Sequence, residues 1–250
     1  MLTAERRRQI LDVLHRNGKV LAAHLAAAMN VSEDTIRRDL RDLAAAGLLC
    51  RVHGGALPAA PGSMTFRARE NEDRPAKGRI GRAAAGLVRN GQVLFVDGGT
   101  TVLEVVRHFP PDLQATVVTN SLPVALALVD HAGVEVVVLG GRFRKSAEVT
   151  VGACVVEHLG RVRADMCVLG LCGIHHEAGI TLDDYEEAQV KRAMVGGAAE
   201  VVGLAAAGKL GTAEPFLVAP IKSLTYLVTD ADPASTDPYR AAGVTVLTAK

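Results

Sequence analysis

The sequence predicts an α/β protein in two unequal parts: a small helical N-terminal domain (1–57) and a larger domain (78–250) built on a mostly parallel sheet, joined by a linker (58–77). Three observations predict it. Seven short apolar runs, VLFV (93–96), TVVT (116–119), VEVVVL (134–139), MCVLGL (166–171), VVGLA (201–205), LTYLVT (224–229) and VTVL (244–247), alternate with Ala-rich or amphipathic stretches. Continuous apolar strands between helices are the mark of a parallel sheet covered on both faces. Ahead of them, Ile10, Leu11 and Leu14 recur at helical spacing. In between, residues 56–77 carry three prolines, a glycine, mixed charge and no sustained period.

Composition narrows the class. At 250 residues and 49% hydrophobic, the chain can bury a sizeable core and is neither disordered nor fibrous. A formal net charge of +1 argues against a protein that coats polyanions. That average hides an asymmetry: residues 1–53 hold nine basic and six acidic side chains, a net of +3, against 19 and 21 in the rest. Cys50, Cys154, Cys167 and Cys172 form no C-x-x-C pair and have no histidines at finger spacing, so neither a disulfide framework nor zinc is expected. Glu5 and Arg6-Arg7-Arg8 stand where a signal peptide needs apolar residues, and no run reaches membrane-spanning length. A cytoplasmic protein without a cofactor is the expectation.

In chain order, Thr3 is placed to cap the first helix, which Asn17-Gly18 ends. A second short helix spans about 21–28 and breaks at Met29-Asn30. Ser32 then caps a third, with Glu33 and Asp34 in its first turn and Gly47 at its end. LLCRVHGGA (48–56) reads as a strand running into a Gly-Gly turn. Helix, short helix, tight turn, third helix and a glycine-bounded hairpin form the layout of a winged helix-turn-helix. At about 100° per residue, Ile36, Leu40 and Leu43 share one inward stripe of the third helix. Arg38 and Arg41 point away from it, with Arg37 and Thr35 on the flanks. Such a face suits guanine edges and phosphates. A solvated face laced by pairs such as Asp34 with Arg38 is the plainer alternative.

The motifs S-x-x-T-I-R-R-D-L (32–40), L-x-x-x-G (43–47) and R-V-H-G-G-A (51–56), in that order, closely resemble the DNA-binding domain of the DeoR family of bacterial transcriptional regulators. The resemblance implies operator DNA as partner, with residues 20–39 as the helix-turn-helix and Arg51 and His53 in the wing. The DNA-binding candidates are therefore Ser32, Thr35, Arg37, Arg38, Arg41, Arg51 and His53. Two half-sites are the usual route to specificity for such a helix, so a homo-oligomer, dimer or higher, is expected.

In the larger part, the first strand runs into Asp97, and Gly98-Gly99-Thr100-Thr101 leads straight into a helix. Glycines let backbone amides approach an anion, and the helix start offers free N–H groups. A tight turn with a capping Thr has the same pattern. Comparable loops follow the next strands: Thr119-Asn120-Ser121, Gly140-Gly141-Arg142 and the Gly170 to Gly173 run. Ligands bind at the carboxyl ends of open parallel sheets, so the four loops are candidates to share one crevice. Ser121 as a helix cap and Gly140-Gly141 as a plain turn are the alternatives.

These loops, with A-D (164–165), G-I-T (179–181) and E-E-A-Q-V-K-R-A-M (186–194), resemble the DeoR-type sensor domain, which is similar in fold to ribose-5-phosphate isomerase. The resemblance implies a phosphorylated sugar or similar effector controlling operator affinity, held by Asp97, Gly98, Gly99, Thr100, Thr101, Asn120, Ser121, Gly140, Gly141, Arg142, Gly173, Glu187 and Lys209. Where that family has Asp, two small residues and Lys, this chain has Ala206-Ala207-Gly208-Lys209, so a carboxylate is absent. The competing class is an isomerase-like enzyme, whose general base would come from Asp165, Glu187 or Lys209. A regulator without effector is a further alternative. Glu186 and Glu187 also suit a helix start as dipole partners. His175-His176 reads as a polar loop pair, because no third metal ligand is evident from sequence.

Overall fold

The helical periodicity of the N-terminal segment resolves into a three-helix core in the computed structural model, which describes residues 2–61 and 64–250. Met1, and Gly62 and Ser63 of the expected linker, lie outside the described residues. Helix α1 (Thr3–Asn17) is followed by strand β1 (Val20–Leu21), α2 (Ala22–Met29), α3 (Glu33–Ala45) and strands β2 (Cys50–Val52) and β3 (Gly55–Leu57). Ile10, Leu14, Leu25, Ile36, Leu40 and Leu43 interlock beneath them. Thr3 is not the cap expected of it: it is the first helical residue, and extended Leu2 holds the cap position without a side-chain bond. Ser32 does cap α3, accepting from the Thr35 N–H at 3.2 Å.

The 48–56 stretch folds into two strands rather than one. His53-Gly54 turns β2 back onto β3, and β1 pairs on the far side of β3, giving the antiparallel order β1-β3-β2. Gly55 is required here, because the Val20 carbonyl oxygen occupies the space a Cβ would need.

Residues 58–77 carry more structure than a linker of that composition suggests. They form α4 (Phe66–Asn71) and the start of α5 (Arg74–Ala85). Phe66 is buried in the sheet domain, its N–H donates to the Ser146 carbonyl at 2.7 Å, and Arg67 pairs with Glu148 at 2.7 Å. A helix of fewer than two turns, anchored by one aromatic residue, leaves no period to read.

The larger domain continues β4 (Val93–Val96), α6 (Thr100–Arg107), β5 (Ala115–Thr119), α7 (Leu122–Ala127), β6 (Val134–Val138), β7 (Arg142–Arg144), β8 (Val149–Val151), α8 (Ala153–Leu159), β9 (Ala164–Gly170), β10 (Gly173–His175), β11 (Gly179–Leu182), α9 (Tyr185–Gly197), β12 (Ala198–Ala205), β13 (Phe216–Ala219), β14 (Tyr226–Thr229), α10 (Pro233–Ala241) and β15 (Thr245–Thr248). All seven apolar runs enter one sheet, in the order β15-β14-β12-β9-β4-β5-β6, and every pairing in it is parallel. Alternation along β4 divides the core. Leu94 and Val96 pack with Ile80 and Val102 of α5 and α6, while Phe95 packs with Leu169 and Met194 toward α9.

The chain enters the sheet at β4, moves outward through β5 and β6, then returns to the other side of β4 at β9. The chain leaves β4 into α6 on one face and returns from β9, by way of the β10–β11 hairpin, through α9 on the other, which opens a crevice at that reversal outside the carboxyl ends of the strands. Two elements invisible to the apolar pattern flank it. The β7–β8 hairpin covers the ends of β5 and β6, and the β10–β11 hairpin, extended by β13, projects from the end of β9.

Candidate functional site

The helix-turn-helix end presents a basic face. Arg38 and Arg41 are exposed and carry no ion pair among the described residues, whereas Ile36, Leu40 and Leu43 are buried behind them. The helix pair that forms is Glu33 with Arg37, at 3.0 Å, and not the Asp34–Arg38 pair of the plainer alternative. Ser32 and Thr35 bond each other, hydroxyl to hydroxyl at 2.9 Å, at the start of α3. The hairpin returns exposed Arg51 and His53 toward the helix, and a cleft of about 380 Å³ between them is lined by Arg37, Leu40, Arg51 and His53. One surface thus collects arginines from helix and wing.

What fixes that helix was not foreseen. Asp39 is buried and accepts from Arg6 Nε at 2.5 Å and Arg7 Nε at 2.9 Å, while Arg7 also reaches Asp42. Burial pushes the Asp39 carboxyl up, but the two guanidinium bonds outweigh it and the net shift is downward.

At the other end, the crevice at the β4/β9 reversal encloses about 260 Å³ and is lined by Gly98, Gly99, Thr100, Thr101, Glu187 and Lys209 of the expected set. Gly98 is needed for close packing, because Val149 of β8 fills the place of its Cβ. Gly99, at φ +131°, starts α6, and no side chain caps that helix. Asp97 lies just beneath: its Oδ2 accepts from the Gly170 N–H at 3.0 Å and from Lys191 Nζ, and its buried Oδ1 has no partner.

The other expected residues are placed elsewhere. Asn120 Nδ2 donates to the Thr150 carbonyl, and Ser121 caps α7, so the loop after β5 is consumed by the β7–β8 hairpin. Gly140 and Gly141 turn the chain beneath the same hairpin, where Val155 and the Val151 carbonyl would collide with a Cβ at position 141. Arg142 is exposed and pairs with Glu186. Gly173 is buried in β10 against Thr181. Four loops therefore do not share one crevice. The ends of β4, β9 and β12 form it, because β5 and β6 lie on one side of the reversal and are covered. Asp165 is also displaced from any catalytic role there: it sits at the opening of β9, at the opposite end of the sheet, and accepts from the Val93 N–H at 2.7 Å.

In their place the fold recruits cations that were not among the expected site residues. Arg69 and Lys77 come from the segment read as a linker, Arg144 from β7 and Lys191 from α9. Arg144 pairs with Glu187 and with Asp184 at 3.6 Å. Lys191 is buried between Asp97 and Glu187; burial pushes its ammonium down, and the two carboxylates more than restore it. Lys209 differs. Its Nζ donates to the Leu171 carbonyl at 2.6 Å, and burial, reinforced by Arg69, Lys191 and Lys77, pushes it down to about 8. Lys191 lies within the 186–194 motif of the sensor-domain resemblance, and its i to i+4 spacing from Glu187 is a second signal for it.

The two ends touch. Lys19, after α1, pairs with Glu177 at the β10–β11 tip, and Ala213, four residues past Lys209, donates its N–H to the Pro58 carbonyl at 3.0 Å and packs on Cys50 and Leu57. At that tip His175, His176 and Glu177 bring ligating atoms within 4.8 Å of one another. His175 Nδ1 already accepts from the Glu177 and Ala178 N–H groups, and Glu177 is held by Lys19. These bonds shape the hairpin turn. No helix among the described residues is long and apolar enough to cross a membrane.

A winged helix-turn-helix with free outward arginines, carried on an α/β domain whose strand-end crevice is lined by cations and carboxylates, is the build of a DNA-binding transcriptional regulator. The chain belongs to the DeoR family: residues 6–60 match the DeoR-like helix-turn-helix domain and residues 72–231 the DeoR C terminal sensor domain. It is 34% identical to the HTH-type transcriptional repressor GlcR of Bacillus subtilis, over 92% of this chain and 89% of that one. The HTH-type transcriptional regulator GlpR of Haloferax volcanii is also 34% identical, over 99% and 98%. The glycerol-3-phosphate regulon repressor of Escherichia coli is 30% identical, over 93% of each. Among solved structures, ribose 5-phosphate isomerase A from Methanocaldococcus jannaschii superposes over 55% of each chain with a TM-score of 0.40 and 16% identity.

Proposed function

We propose that this regulator represses genes of carbon metabolism and that a small phosphorylated metabolite in the β4/β9 crevice changes its affinity for operator DNA. The observation that carries the reading is the convergence of Arg69, Lys77, Lys191 and Lys209 on the Gly98 to Thr101 turn at the start of α6. Backbone N–H groups at a helix start, glycines that admit close approach and several cations are what a phosphate requires. A volume of about 260 Å³ suits a ligand of a few carbons. The name of the Escherichia coli relative, a glycerol-3-phosphate regulon repressor, supports the same class.

On this reading Arg38 and Arg41 read bases in the major groove, while Arg37, Arg51 and His53 hold phosphates beside it. A homo-oligomer presents two such helices to two half-sites. Coupling runs through the contacts that join the halves: the β10–β11 hairpin carries crevice residue Cys172 at its base and Glu177 at its tip, and Lys209 is four residues from Ala213. Ligand alters DNA affinity only if it contacts two arrangements of these segments differently. The experiment is an operator gel shift with and without glycerol 3-phosphate and short sugar phosphates, beside thermal shifts with the same compounds. A compound that stabilises the protein and displaces DNA supports the proposal; stabilisation by none of them removes it.

A further inference from the structure

Two lysines meet at the end of β9, and the fold treats them in opposite ways. Lys191 Nζ donates to the Gly170 carbonyl at 3.0 Å, and Lys209 Nζ donates to the next carbonyl, that of Leu171, at 2.6 Å. Both side chains line the same crevice, and the charge of Lys191 acts on Lys209. Lys191 has Asp97 and Glu187 as ion-pair partners. Lys209, half-buried, has no ion pair among the described residues; Cys172 beside it favours its ammonium, while burial and the cations Arg69, Lys191 and Lys77 disfavour it, with a net shift downward.

A buried amine beside other cations loses its proton more easily, and an unprotonated amine in a desolvated pocket is a nucleophile. The surrounding cations that disfavour the Lys209 ammonium are the ones suited to a phosphate. A phosphate seated on them would present the rest of a three- or four-carbon ligand to the free amine.

We propose that Lys209 forms a reversible imine with the carbonyl carbon of a short phosphorylated aldehyde or ketone, so that the crevice distinguishes carbonyl phosphates from their alcohols by covalent capture. This rests on the crevice being a phosphate-ligand site. The Nζ lone pair attacks the carbonyl carbon to give a carbinolamine. A C=N bond then forms as the C–O bond breaks, and both amine protons leave with the oxygen as water. No oxidant or reductant is consumed, and water reverses the step. Lys191, held protonated by two carboxylates, supplies charge and does not compete as a nucleophile. Cys172, also in the crevice, is pushed up by burial and stays a thiol.

The test is reductive trapping on the full chain. Protein is incubated with glyceraldehyde 3-phosphate or dihydroxyacetone phosphate and cyanoborohydride, and the adduct, heavier by the ligand less one oxygen, is mapped by peptide mass spectrometry. Thermal shift with glycerol 3-phosphate, which has the phosphate and no carbonyl, is measured in parallel. The expected result is saturable labelling of Lys209, at least tenfold above exposed Lys145 and Lys222, suppressed by excess glycerol 3-phosphate and lost from that site in Lys209→Arg. Labelling spread over surface lysines with no excess at Lys209, while glycerol 3-phosphate still stabilises the protein, overturns the imine and leaves the phosphate site standing. Absence of both preferential label and stabilisation overturns the two together.

Discussion

Arg6 Nε of α1 donates to Asp39 Oδ2 of α3 at 2.5 Å, through a carboxylate only 2% exposed. The helix that carries Arg38 and Arg41 is therefore held in place by an ion pair to the first helix as well as by its apolar stripe. Removing one partner of a buried pair leaves the other charge stranded, so Asp39→Ala is expected to destabilise the N-terminal domain by about 3–5 kcal/mol. Asp39→Asn should cost less, since it still accepts a hydrogen bond. Urea denaturation followed by helix content measures both. A change within about 0.5 kcal/mol for Asp39→Ala would show the pair to be incidental.

Arg38→Ala and Arg41→Ala are each expected to weaken operator binding by about 1–3 kcal/mol where the side chain reads a base, or to reduce the salt slope by about one where it holds a phosphate. Arg51→Ala should lower affinity for operator and unrelated DNA alike. Gel shifts across a salt series separate the two behaviours. Unaltered affinity and slope in both α3 variants would remove the helix from the DNA interface.

Two titrations give different acid windows. Burial, then the neighbouring His176, pushes His175 from 6.5 down to about 4. The unfolded chain takes up that proton first, so stability falls as pH drops from 6.5 to about 4 and this loss stops below it. His175→Asn, which keeps an acceptor for the turn, should flatten that slope. Asp39 is lowered from 3.8, so its contribution is present above that value and disappears at still lower pH as the folded state takes up the proton. Urea melts between pH 7 and 3 cover the His175 window, and extension of the series below pH 3 reaches that of Asp39. An unchanged slope in His175→Asn would deny the first.

Thr100→Val/Thr101→Val removes two hydroxyls at the start of α6 without removing the backbone amides. Ligand-induced DNA release is expected to need at least tenfold more effector in this double variant. The same release at the same concentration would take the hydroxyls out of the site.

The Lys19–Glu177 pair is exposed on both sides and is expected to add no more than about 1 kcal/mol to stability. Its expected importance is in coupling. In a double-mutant cycle of Lys19→Ala and Glu177→Ala, the effector-induced change in operator affinity should shrink in each single variant and no further in the double. Additive effects would place the route elsewhere, with Pro58, Leu57 and Ala213 the next contacts to test.

Much of the scaffold was legible in local pattern. Seven apolar runs became the seven strands of the parallel sheet, because a strand buried on both faces has no polar alternation to obscure it. The Ile36, Leu40 and Leu43 stripe fixed which way Arg38 and Arg41 face. The short strands β7, β8, β10, β11 and β13 were not read, since segments of three or four residues become strands only when a partner supplies the hydrogen bonds. Of the crevice, the Gly98 to Thr101 turn, Glu187 and Lys209 were legible. Asn120, Ser121, Gly140, Gly141, Arg142 and Gly173 were grouped with them because each follows a strand or its turn, yet a hairpin closes over some and packing absorbs the others.

By itself the sequence determined the two-part organisation, the family, the strand inventory and the outward face of the DNA-binding helix, all of which rest on periodicity and residue order within a few turns. Only the tertiary structure decided which loops meet. The chain reverses direction across the sheet between β4 and β9, and the crevice draws on the ends of those two strands and of β12, three strand ends out of seven. It also brings Arg69 and Lys77, from a segment without any pattern, beside Lys191 and Lys209 from the far half of the chain. Charge in that crevice is a sum over residues more than a hundred positions apart, and burial then sets each one's proton affinity. No local reading of Asp97, Lys191 or Lys209 contains that sum.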